Sequence, residues 1–170
     1  FIREQIDDMR YNYFSRCTVQ GQEKYIELWV EKDALSRVFE DTAWEYCLRC
    51  VTCKGYQSIS FLKSYRDRAQ KALDNNQEPV VLYAGDFDPS GVQMFEAAQD
   101  SLQNDLGLYG ARYRRIALNL DDIKTYDLPH DPDAVKKTDR RYSAFVDRYG
   151  EYAVELDALH PRELKSIAIN

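Results

Sequence analysis

The chain has 170 residues, 44% of them apolar and 31% charged, with a formal net charge of −6. That balance is ordinary for one globular domain. No apolar run approaches the ~20 residues that span a bilayer, and the acidic surplus argues against tight, non-specific binding to nucleic acid. No secretory leader is visible and the chain opens at Phe1 rather than Met. Residues 1–24 are therefore expected to be the end of a truncated upstream region, and the compartment to be the cytoplasm.

In chain order, residues 1–24 read as a polar, helical lead-in with Met9, Tyr13 and Phe14 as packing anchors. Tyr25 to Val30 is rich in β-formers and predicts a first strand. From Asp33 to Tyr46, Leu35, Val38, Phe39 and Ala43 recur at helical spacing. Cys47 to Thr52 reads as a second strand, with Gly55 marking the turn after it. Ser58 is placed to cap a helix that runs to about Asp74. Residues 75–79 form a loop, and Val80 to Ala84 a third strand. Asp88 and Pro89 open another helix, since Asp caps and Pro fits the first helical position; Gly107 and Gly110 end it. Arg112 to Leu120 alternates as a fourth strand. Beyond Asp121 the rhythm changes to a polar connection, a helix around Arg140–Arg148, a strand over Tyr152–Leu156 and a last helix from Pro161.

This β-α-β-α-β-α-β order predicts an α/β fold: a mostly parallel four-stranded sheet with helices on both faces. Residues 25–120 form its core and 121–170 a C-terminal α/β extension of the same domain.

Four cysteines, Cys17, Cys47, Cys50 and Cys53, include a C-x-x-C-x-x-C run. A zinc site needs a fourth ligand, which only Cys17, His130 or His160 can supply. A three-residue spacing on a strand sends neighbouring thiols to opposite faces. Reduced, partly buried thiols are the expectation.

Three carboxylates fall where strands end: Glu31, followed by Lys32, after the first strand, and Asp86 and Asp88 of Asp86-Phe87-Asp88-Pro89-Ser90-Gly91 after the third. In an open α/β sheet that edge collects ligands and catalytic groups. The D-x-D step puts both aspartates on one side of an extended backbone. Ionised carboxylates brought together repel, and a divalent cation relieves the repulsion; hard oxygen ligands suit magnesium. Gly91 in the first helical turn lets a phosphate approach the helix N–H groups, and Lys32 adds a point charge.

Competing readings of the same residues are weaker on their own terms. An EF-hand loop starting at Asp86 needs a bidentate Glu at its twelfth position, where Ala97 stands, and a helix before it rather than a strand. A phosphatase of the haloacid-dehalogenase type carries its D-x-D after the first strand, not the third. Asp86 and Asp88 as mere turn and cap residues leave Glu31-Lys32 in its matching place unexplained.

Taken together, these residues resemble the Toprim domain of topoisomerases, primases and small nucleases over roughly residues 25 to 120. The similarity is greatest to the version in the A subunit of topoisomerase VI and the related meiotic double-strand-break protein. Val30-Glu31-Lys32 matches their V-E-K, Thr52-Cys53-Lys54-Gly55-Tyr56 their glycine turn, Asp86 to Gly91 their D-x-D-P-x-G, and Glu155-Leu156-Asp157-Ala158-Leu159 their late E-L-x-A-L. Gln57-Ser58 stands where that family tends to carry Pro-Asp. The resemblance implies a Rossmann-like Toprim fold in which Glu31, Asp86 and Asp88 bind Mg2+ and serve catalysis, with Glu31 also an acid or base. It implies DNA as substrate and partner. In that family a tyrosine on a preceding winged-helix domain forms the phosphotyrosyl link; Tyr11 and Tyr13 lie too near Glu31 to take that role.

Arg112, Arg114 and Arg115 crowd one stretch, and Lys136, Lys137, Arg140 and Arg141 another. Lys32, Lys54, Gly55, Gly91, Lys136, Lys137 and Arg140 are the expected phosphate or nucleic-acid contacts. Glu155 and Asp157 are expected to ion-pair with the basic stretch. Three functions are open at this point: a topoisomerase VI A-like domain that cleaves and rejoins DNA with a tyrosine-bearing domain, an ATPase subunit or a second copy of itself; a stand-alone Toprim nuclease; and a non-catalytic module binding metal and nucleic acid.

Overall fold

The computed structural model describes Gln5 and residues 21–53, 58–129 and 142–169. Four strands form one parallel sheet in the order β2-β1-β3-β4: β1 (Lys24–Val30), β2 (Arg49–Thr52), β3 (Glu78–Ala84) and β4 (Arg112–Ala117). The connections carry α1 (Asp33–Glu45), α2 (Ile59–Asp74) and α3 (Pro89–Asp100), the last extended by a π-helical turn over Ser101–Asp105. After β4 come α4 (Leu120–Thr125), α5 (Tyr142–Tyr149), a 3-10 turn (Leu156–Ala158) and α6 (Pro161–Ile169). The α/β parallel sheet read from the sequence is thus present. Among the described residues, no helix is long and apolar enough to cross a membrane.

Alternation along the strands sends side chains to two cores, one on each face. Leu28, Val30 and Ala84 join Phe39 and Ala43 of α1, Ile123 of α4, Phe145 of α5 and Leu164 of α6. Trp29, Val81 and Tyr83 join Leu62, Tyr65 and Ala69 of α2 and Phe95 and Ala98 of α3. Cys50 packs with the first set and Cys53 lies in the second, so the two thiols do face apart. Cys47, Cys50 and Cys53 are unbridged, and burial pushes the Cys50 thiol up to about 12.

Local signals placed most boundaries. The Ser58 Oγ accepts from Phe61 N at 3.2 Å, and Asp88 caps α3 with Pro89 in its first turn. Several boundaries differ from the sequence reading. β2 starts at Arg49 rather than Cys47, because Cys47 takes a positive φ of 55° in the turn that ends α1. Glu78 and Pro79 open β3 instead of closing the preceding loop; a missing N–H is tolerated at a strand's start. β4 stops at Ala117 because Asn119 and Asp122 form a capping box that starts α4. The strand expected over 152–156 is a single antiparallel bridge between Val154 and Phe87, followed by the 3-10 turn.

Candidate acidic site at the carboxyl edge of the sheet

Register decides which groups meet. β1 and β3 are adjacent and parallel, with Val30 opposite Ala84, so Glu31 and the Gly85–Asp86 segment emerge side by side. Glu31 N donates to Ala84 O at 2.9 Å. The Glu31 carboxylate folds back over the neighbouring chain: its Oε2 accepts from Asp86 N at 2.9 Å and from the Tyr83 hydroxyl at 3.0 Å. Gly85 makes this possible, since a Cβ there would collide with Glu31 Oε2 and the Tyr83 hydroxyl.

The three residues of D-x-D divide their directions. Phe87 turns into the core and packs edge-on against Phe145 and Tyr149, with centroids 5.4 and 5.2 Å away. Asp86 and Asp88 are left half-buried beside it. The Asp88 Oδ1 accepts from Gly91 N at 2.6 Å. That N–H is therefore used by the chain's own carboxylate, and the space a Gly91 side chain would fill is taken by Asp86 O and Asp88 Oδ1.

Asp86 also reaches the C-terminal segment. Its Oδ1 accepts from Leu156 N at 2.7 Å, while Phe87 and Val154 exchange backbone bonds of 2.9 and 3.0 Å. Lys32 closes the same corner. Its ammonium lies 2.8 Å from Glu155 Oε2, 3.0 Å from Asp157 Oδ1 and 3.3 Å from Asp86 Oδ1. Glu155 and Asp157 thus ion-pair with Lys32; Lys136, Lys137, Arg140 and Arg141 lie outside the described residues, as do Lys54 and Gly55 of the glycine turn.

Charge balance in this corner leans negative. Burial raises the Glu31 carboxyl above its ordinary value, and the Asp86 and Asp88 charges raise it further against the Asp86 N–H and Tyr83 hydroxyl. Burial also raises Asp86, with the Leu156 N–H and Lys32 pulling the other way. Lys32 is held above its usual range: burial opposes its charge, but the bonds to Glu155 and Asp157 and the Asp86 charge prevail. Asp157 is held below the usual carboxylate range by its bond to Lys32.

The arginine-rich stretch on β4 separates into different roles. Arg112 pairs with Glu78 at the surface and Arg114 is exposed. Arg115 instead reaches inward, donating to Gly85 O, Asp86 O and Leu118 O. Sequence reasoning missed Tyr83 and Arg115 as neighbours of the site. The available signal was strand alternation, which puts Arg115 on the same side of β4 as Tyr113 and so makes it a charged residue at an inward position.

Among the described residues, no three His, Cys, Asp or Glu side chains are gathered into a ready-made metal cage. Magnesium does not require one, since it keeps several waters and is held by one or two carboxylates together with phosphate oxygens. The donor chemistry here fits that mode. Glu31 and Asp86 are hard oxygen donors brought together at one strand edge, and the bonds described above engage only Glu31 Oε2 and Asp86 Oδ1. Each carboxylate has a second oxygen with its own lone pairs.

No family model, curated protein or solved structure matches the chain. The functional reading rests on the geometry of this corner.

Proposed function

We propose that the chain is a Toprim-type catalytic domain that acts on DNA phosphodiester bonds with Mg2+, cooperating with a tyrosine-bearing domain or partner, and that it works in the cytoplasm. The observation that carries this reading is the Glu31 carboxylate seated on Asp86 N, with Asp88 two residues on. Two strand ends thereby deliver an acidic, half-buried corner whose carboxyls are raised by burial and by one another. Such a corner gains by taking up a cation.

Glu31 and Asp86 would hold the ion, and Asp88 would add negative charge beside it. When bound, magnesium supplies charge stabilisation at the phosphoryl and departing oxygens. Tyr83 and Asp86 N orient the Glu31 carboxylate, and the Leu156 N–H fixes one oxygen of Asp86. Burial and the neighbouring Asp86 charge raise the Glu31 carboxyl, so it holds a proton more readily than an ordinary glutamate, as an acid or base requires.

The test is conversion of supercoiled plasmid with Mg2+ present or chelated, for wild type and Asp86→Ala, with and without a tyrosine-bearing winged-helix partner. Magnesium-dependent strand cleavage that needs the partner and is lost in Asp86→Ala is the expected result. Cleavage by the chain alone, lost in Glu31→Gln, would replace the partner-dependent reading with that of a metal-dependent nuclease. Activity indifferent to both magnesium and Asp86 would overturn the proposal.

A further inference from the structure

We propose that Arg115 is the positioning residue of the acidic site, and that this one guanidinium sets both the Asp86 backbone and the Glu31 carboxylate in the arrangement that captures a divalent cation. The inference rests on the metal-binding reading above and deepens it.

Arg115 Nη1 donates to Gly85 O at 2.9 Å, to Asp86 O at 3.1 Å and to Leu118 O at 3.1 Å, and Nη2 donates to Asp86 O at 3.0 Å. One side chain thus ties together three carbonyls from the two segments that follow β3 and β4. Those segments are also joined by backbone bonds, Gly85 N to Ala117 O at 2.8 Å and Leu118 N to Gly85 O at 2.9 Å. The guanidinium carbon lies 5.1 Å from the Tyr83 ring centroid. Tyr83 is stacked on Phe95 at 4.3 Å and donates its hydroxyl to Glu31. Arg115 therefore acts on Asp86 through the backbone and on Glu31 through the tyrosine.

Although Arg115 also lines an open cavity with Phe87, Phe95, Asn119 and Tyr149, its Nη1 and Nη2 donors are taken up by main-chain oxygens of the acidic loop and of Leu118. Several carbonyls at different angles call for a planar fork of donors, which an ammonium lacks. The positive charge also sits within range of Glu31, Asp86 and Asp88, where it offsets their repulsion before any metal arrives.

The experiment measures Mn2+ binding to the full chain by electron paramagnetic resonance of the free ion, alongside thermal melting. It uses wild type, Arg115→Lys, Arg115→Met and Tyr83→Phe. Leu62→Ala serves as a control that weakens the core beneath α2 without touching the network. Loss of a group that orients metal ligands typically weakens binding about 10- to 100-fold. The expected order is wild type, then Arg115→Lys, then Arg115→Met, with at least a roughly 10-fold gap between the first and the last. Leu62→Ala should melt earlier and keep wild-type affinity. Folded Arg115→Met with wild-type affinity overturns the inference. Should both Arg115 variants fail to fold, Tyr83→Phe decides: weakened Mn2+ binding supports the linkage and unchanged binding overturns it. Wild type that binds no Mn2+ overturns the metal-binding reading itself, and this inference with it.

Discussion

Glu27 and Glu31 stand four residues apart along the same strand line, on the same side of the backbone, and meet opposite fates. Glu27 is fully buried, and its surroundings match it bond for bond. Arg68 grips it through Nε at 2.6 Å and Nη2 at 3.0 Å, Tyr25 donates at 2.5 Å and Trp29 at 3.2 Å. Glu31 lies one step past the strand's end, half-buried, with one oxygen held by a backbone N–H and a tyrosine and with two aspartates nearby. The first arrangement is what a carboxylate needs to live in a core. The second leaves a half-buried carboxylate beside two others, with fewer donors than Glu27 has. The contrast separates a carboxylate that locks the sheet from one that the proposed function uses as a metal ligand.

Breaking the Glu27 side should cost most. Arg68→Ala strands a buried carboxylate and is expected to remove about 3–5 kcal/mol of stability, read by urea unfolding. The Mn2+ affinity of the folded protein should stay unchanged. A loss below ~1 kcal/mol would mean that the pair is not the lock described here. Next comes Gly85→Ala, whose methyl must displace Glu31 or Tyr83. It is expected to cost about 1–3 kcal/mol as an overpacked site and, unlike Arg68→Ala, to weaken metal binding.

Asp88 allows a finer cut. Asp88→Ala removes the bond to Gly91 N and should cost ~1 kcal/mol in thermal unfolding, whereas Asp88→Asn keeps a capping oxygen and should cost little. If both weaken metal binding alike, the charge matters and the cap does not. The smallest effect is a gain. Glu31→Gln keeps an acceptor for Asp86 N and Tyr83 while removing repulsion, so the metal-free variant should melt at or slightly above wild type. The sign with pH follows. The folded-state values of Glu31 and Asp86 lie above the ordinary 4.5 and 3.8, so in that window the folded chain binds more protons than the unfolded one. Their contribution is present below the ordinary values and is lost as pH rises through the raised ones. Melting from about pH 4 upward should show a shallower decline in Glu31→Gln; equal slopes would remove Glu31 as the source.

Much of this was legible in the sequence because it is local. Strand-forming runs, Ser58 and Asp88 as caps and Pro89 at a helix start all act within a few residues, and parallel connectivity follows from their order. The meeting of Glu31 with the aspartates was legible at one remove, through the ends of neighbouring strands. What stayed hidden depends on contacts distant in sequence. Leu156 N reaches Asp86 across 70 residues, and Lys32 is taken by Glu155 and Asp157 more than 120 residues away. No propensity or spacing encodes those meetings. Arg115 is different: composition merges it with its neighbours into one basic stretch, but strand alternation already sets it on the side of Tyr113, apart from Arg112 and Arg114.

The most direct test of the central claim is a crystal of the full chain soaked in Mn2+ and measured for anomalous scattering. An anomalous peak in direct coordination with both Glu31 and Asp86, about 2.1 Å from an oxygen of each as magnesium-like ions require, is the predicted result. A well-ordered Glu31–Asp86 corner with no peak, or a peak held by other residues, would contradict it.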